Sequence, residues 1–244
     1  MRNLLTLSRR EIGSIFLAPA SYVILALGLG LVAFFFWIAL RAMGGDISQS
    51  YRYFVGVVYF QLLLCVVPPL VTMRSLASER ATGTLEMLLT APVTDRQVVL
   101  SKFAGAFLFF LALWVPIIFI PVALFQFGAY PDFGQVIAFT IGVVSLGAFL
   151  VSVGIFTSSV TSNILTAFFA AFALDAFFLF GVAGIAWLTQ SDAVRDWATA
   201  MLIPRQMDDF ARGIVDVRYL IFYLTGTVLF LFLAVRSLES RTWR

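Results

Sequence analysis

The chain has 244 residues, 61% of them hydrophobic and only 12% charged, with a net charge of +3. A soluble domain is about 45–50% apolar and about 25% charged, so this composition excludes a water-bathed globule and makes lipid the natural solvent. Histidine is absent and Cys65 is the only cysteine, which excludes a disulfide within the chain and removes the commonest general base and metal ligand.

The first element, MRNLLTLSRREIGSIF, gives an amphipathic wheel. Leu4, Leu5, Leu7, Ile12, Ile15 and Phe16 share one side and Arg2, Arg9 and Arg10 the other, while Ser8 and Glu11 intrude on the apolar side. Residues 1–19 are therefore expected to lie in the membrane interface as a helix. No cleavable signal peptide is expected, because the first long apolar run comes late. Six apolar runs follow, at 20–40, 53–73, 103–127, 135–156, 164–188 and 219–235. About 20 helical residues cross a bilayer core of roughly 30 Å, and continuous rather than alternating apolarity selects helices over a barrel. The expectation is an all-α polytopic membrane protein, a single transmembrane domain over 1–244. Within it, Pro116 and Pro121 bend the third span, and Gly28 with Gly30 invites a close helix crossing.

Two connections are more than turns. Residues 74–102 are polar and charged between two apolar spans. There, Gly83 to Thr90 can form a short helix with Leu85, Leu88 and Leu89 on one face, Pro92 ends it, and Thr94 to Gln97 is a capping-box signature opening the third span. Residues 189–218 form a long loop with Trp197, Met201, Leu202 and Ile203 among its acids, expected to hold an interfacial helix. Arginines and Lys102 are concentrated on the side of 1–19, 74–102 and the C-terminus, so that side is expected to be cytoplasmic. The remaining loop on that side, TSSVTSN, is uncharged and carries no orientation signal.

The alternating charges of Glu79, Arg80 and Glu86 suit either a solvated turn or a specific docking surface, and short tethers to spans two and three would transmit a push. The run SLASERATGTLEMLLTAPVTDRQVVLSK resembles the cytoplasmic signature of ABC-2 type transporter permeases. The C-terminal run DDFARGIVDVRYLIFYLTGTVLFLFLAVRSLESR resembles the permease subgroup associated with gliding motility and nitrous-oxide-reductase maturation. The uncharged TSSVTSN departs from that pattern, where a basic residue is usual.

The resemblance implies the permease subunit of an ATP-driven exporter in a bacterial inner membrane, paired with a second identical or related permease chain. It implies two copies of a separate ATPase, docked on a cytoplasmic coupling helix through Ser78, Glu79, Arg80, Gly83, Thr84, Leu85 and Glu86. Arg9, Arg10 and Glu11 of the N-terminal helix form the second expected contact. ATP and Mg would belong to the partner; this chain lacks a Walker A motif and is expected to hold no cofactor, no metal and no nucleic acid, and not to be an enzyme by itself.

Asp175, mid-span in AAFALDAFFLF, is costly by about 2.5–3.5 kcal/mol on insertion scales. Either it contacts substrate or protons, or it pins a neighbouring span through Gln61, Gln126 or Thr140. In the outer segment IPRQMDDFARGIVDVRYL, Arg205, Asp208, Asp209 and Arg212 suit either a helix sealing the outer mouth or a surface for a periplasmic accessory protein. A proton-coupled secondary carrier and a membrane scaffold for an outer partner are the alternatives to the ATP-driven reading.

Overall fold

The computed structural model describes residues 2–81, 83, 94–189, 196, 198, 199 and 201–240, and all regular structure among them is helical. In chain order the helices are α1 (Arg2–Leu17), α2 (Pro19–Ala42), α3 (Ile47–Gly56), α4 (Val58–Thr72), α5 (Ala77–Ala81), α6 (Asp95–Leu113) and α7 (Val115–Gln126). They continue with α8 (Phe133–Val160), α9 (Ile164–Ala176), a π-helical turn (Phe177–Gly181), α10 (Val182–Leu188), α11 (Ile203–Ala211) and α12 (Val217–Glu239). Six of the helical stretches are long and apolar enough to cross a membrane. The chain is a multi-pass membrane protein.

The bundle is organised around α8. Two thirds of its apolar window (67%) is buried, against 22% for each of the first, fifth and sixth spans. It packs against α4, α6, α9, α11 and α12. Close approach comes from glycines, as expected where lipid supplies no hydrophobic drive between helices and packing must. A Cβ on Gly147 would stand 2.1 Å from the ring of Phe110, and one on Gly154 2.0 Å from the Thr72 hydroxyl. The outward faces carry exposed Leu27, Phe34, Leu165, Phe169, Leu224 and Val228.

Span boundaries depart from hydropathy in three places. The second apolar run is two helices, because the backbone turns extended at Val57 (φ −83°, ψ 140°). The piece before the turn, α3, is capped by the Asp46 carboxylate, which accepts from Gln49 N. It buries Tyr51 and Phe54, both in ring contact with Phe36 of α2. The third run breaks at Trp114, and Pro116 lies in the first turn of α7, where its missing N–H costs nothing. Pro121 frees the carbonyl of Ile117, and the Tyr51 hydroxyl donates to that oxygen at 2.7 Å. Finally, the sixth span is 23 residues rather than short. Hydropathy stops at Arg218 and Arg236, but the helix continues through both, started by the Asp216 carboxylate accepting from Arg218 N.

The capping box is present, with Gln97 N donating to Thr94 Oγ1 and Thr94 N to Gln97 Oε1. Gly28 is at a close crossing, its Cβ position 2.5 Å from Leu113, whereas Gly30 faces open space. The expected coupling helix over Gly83 to Thr90 lies, except for Gly83, outside the described residues.

Gly147→Val would drive two methyl groups into the fully buried Phe110 ring. It should destabilise the bundle by about 1–3 kcal/mol, read as a lower unfolding temperature in detergent, whereas Gly30→Ala should leave it unchanged.

Candidate functional site

The charged end of the bundle is built on Lys102. It sits two turns into α6, is 3% exposed, and has its ammonium 2.6 Å from Glu79 Oε1 of α5 and 3.4 Å from Glu11 Oε2 of α1. An ammonium taken out of water costs several kcal/mol unless it is paired and hydrogen-bonded; here two carboxylates from two other elements meet it. This explains Glu11 on the apolar side of the amphipathic wheel: it is the polar residue that must face inward. Around the triad, α1 lies along α6. Gly105 makes room, since a Cβ there would come 3.0 Å from Ile15, and Phe16 meets Phe109 edge-on at 5.3 Å.

The α4–α5 connection is held from a second side. Leu76 N and Ala77 N, at the start of α5, both donate to Ser158 Oγ at 3.0 Å. Ser158 belongs to the last turn of α8, within TSSVTSN. Its neighbour Ser159 offers its carbonyl to Ser237 of α12 at 3.1 Å. The loop that gives no orientation signal thus fastens α5 and α12 to the central helix. Only the run of small hydroxyls hints at this, because such residues serve as well for ordinary helix ends.

Of the sequence-predicted contacts, Glu11, Glu79 and, through the same segment, Ser78 and Arg80 are gathered here. Ser78 Oγ donates back to the Arg74 carbonyl. Arg9 and Arg10 are exposed on α1, and Gly83 has the positive φ (72°) that favours glycine. Thr84, Leu85 and Glu86 lie outside the described residues. Beside the triad is a cavity of about 390 Å³ between α1, α2, α4, α5 and α6.

At the opposite end, the charges of the outer segment are engaged within the fold. Asp208 pairs with Arg212 and lies 3.7 Å from Arg52 of α3. Asp209 accepts from the Tyr219 hydroxyl at 2.8 Å. α11 buries Ile203, Met207 and Phe210, and Phe210 packs on Gly142 of α8. Gln135, 4% exposed, donates to the carbonyls of Ser48 and Ala211 and so binds α3, α8 and α11 together. Of the four predicted surface charges, Arg205 borders a second cavity, with Asp216 and Arg218.

Asp175 is fully buried at the end of α9, two residues before the π-helical turn, and among the described residues neither of its oxygens has a hydrogen-bond partner. The expected pinning through Thr140 does not occur, since that hydroxyl donates to its own helix at Val136; Gln61 and Gln126 also do not reach it. The Cys65 thiol, near Asp175, points to the Phe172 carbonyl at 3.8 Å.

Residues 39–204, more than half of the chain, match the family model described as ABC-2 family transporter protein. The chain belongs to this family. No curated protein matches it. An ABC-2 membrane domain is a transport permease that is not catalytic by itself, and membership implies an ABC ATPase partner and, often, dimeric permeases. The matched region contains Glu79, Lys102, Ser158 and Asp175 but begins after α1, so Glu11 lies outside it.

Lys102→Met leaves two partly buried carboxylates facing each other. It should cost about 2–3 kcal/mol, less than the 3–5 kcal/mol of a wholly buried pair, because Glu11 and Glu79 keep 18% and 24% exposure. Adding Glu11→Gln and Glu79→Gln should restore part of that loss in a detergent unfolding series, since the two carboxylates would no longer repel each other.

Proposed function

We propose that this ABC-2 permease is the moving half of an ATP-driven exporter, worked through α1 and residues 74–102 by an ATPase carried on another chain. What supports the reading is the Glu11–Lys102–Glu79 triad in an ABC-2 family chain. It joins the interfacial helix, the α4–α5 connection and the third span into one unit, so a force on the polar segment is delivered to the spans. Glu11 and Glu79 then act by holding these elements in place. Arg9, Arg10, Ser78, Arg80, Gly83, Thr84, Leu85 and Glu86 offer the face toward the ATPase.

On this reading both termini are cytoplasmic and the membrane is a bacterial inner membrane. Two ATPase copies carry the ATP and Mg, and a second permease chain completes the pathway. The gliding-motility and nitrous-oxide-reductase subgroup is the suggested branch. In it, the end bearing Arg205, Asp208, Asp209 and Arg212 would meet a periplasmic accessory protein. A second reading, proton coupling, is favoured by one observation: Asp175 is an acid buried within a span, with no hydrogen-bond partner among the described residues, and such residues mark ion pathways by default.

Co-expression with the host's ABC ATPases and mild-detergent purification should bring down a domain-sized ATPase with the wild-type chain. Glu86→Lys should lose it while keeping the unfolding temperature. A cysteine at position 86 that reacts with an impermeant thiol reagent from outside the cell would overturn the docking assignment. For the second reading, Asp175→Asn should leave the pH profile of transport unmoved if the acid serves packing alone, and flatten it if it carries protons.

A further inference from the structure

We propose that the cavity beside Lys102 binds the phosphate headgroup of an anionic phospholipid drawn from the surrounding leaflet. The site lies where the spans end. Ser21 opens the first apolar window and Leu70 and Val71 belong to the last turns of α4, and all three line the cavity. Its lining combines both characters of a lipid. Ile15, Ile24, Leu70, Val71 and Phe109 are apolar, while Arg10, Arg74, Ser14, Ser21 and Ser75 are polar. At about 390 Å³ it falls within the range of small-ligand sites, about 300–1,000 Å³.

The charge balance selects an anion. Lys102 is already met by Glu11 and Glu79, so the triad carries one surplus negative charge. Arg10 and Arg74 also line the cavity and are exposed, and among the described residues neither guanidinium makes an ion pair or a hydrogen bond. The lining thus holds one net positive charge, which a phosphodiester neutralises. Guanidinium groups bind phosphate oxygens in a planar, two-pronged fashion. A free phosphate or phosphate monoester shares this chemistry, but would leave the apolar lining residues wet; a diacyl lipid would also cover them. Bound there, the lipid would tie α1, through Arg10, to the end of α4, through Arg74, beside the link already made by Lys102.

The test is native mass spectrometry of the full-length chain in detergent, titrated with dioleoylphosphatidylglycerol and, separately, dioleoylphosphatidylcholine. The wild type should retain phosphatidylglycerol under activation that strips phosphatidylcholine. Arg10→Gln/Arg74→Gln should weaken that retention about thirtyfold, from about 1 kcal/mol per basic residue. A control at the other end, Arg41→Gln/Arg218→Gln, should not. Among the described residues the two guanidinium groups make no ion pair or hydrogen bond, so the lipid-free unfolding temperature should hold. Should the double variant fail to purify, each single variant carries the same readout with about a fivefold loss.

Equal retention by wild type and variant, or equal retention of the two lipids, overturns the proposal. Displacement of phosphatidylglycerol by soluble glycerol 3-phosphate at matching concentration also overturns it, in favour of a free phosphate ligand. The measurement uses no second protein, so its failure leaves the ATPase-docking reading untouched.

Discussion

The structure depends on one requirement: an ammonium buried within the protein must be paired. Lys102 is the chain's single lysine, and α6 carries it into the protein rather than toward water. The desolvation cost of that placement is met only if carboxylates are brought to it. Glu11 and Glu79 lie 91 and 23 residues before it in the chain, so pairing them ties two elements far apart in sequence to the same point of α6. α1 on its own is an amphipathic helix that could slide in the interface, and α5 is a single turn. Each acquires one position because it must deliver a carboxylate to the same nitrogen.

A second constraint shapes the membrane interior, where freed backbone carbonyls find no water. The Pro121 ring removes a donor, and Tyr51 supplies one from α3. The hydrogen bond links the distal-end helix to the broken third span, and fixes the break as a joint rather than a loose bend. Gln135 does similar work nearby, spending both amide protons on carbonyls of different elements. The distal end is therefore closed by polar groups satisfied across elements, with Phe210 seated against Gly142 between them.

Asp175 is the counterpoint to Lys102. Both are ionisable and buried, but among the described residues Lys102 has two partners and Asp175 has no hydrogen-bond partner. The acid is adjacent to a π-helical turn, a geometry that is rare and often retained at functional positions. Its two oxygens join the Trp114 indole nitrogen and the Tyr223 hydroxyl as buried polar atoms without a hydrogen-bond partner among the described residues, but of these only Asp175 can carry a charge near neutral pH.

Local sequence determined the membrane class, the number of spans, the N-terminal amphipathic helix and the capping box. Each of these depends on apolar run length, 3.6-residue periodicity or spacing within one turn, which are properties of neighbouring residues. Even the oddity of Glu11 on an apolar face was legible, although its meaning was not. The tertiary structure alone decided that Lys102 is its partner, that Ser158 caps α5, that Tyr51 serves Ile117, and that the second apolar run is broken at Val57. Hydropathy averages over a window and is blind to a partner tens of residues away. Which buried polar atom satisfies which other is settled only when the helices cross.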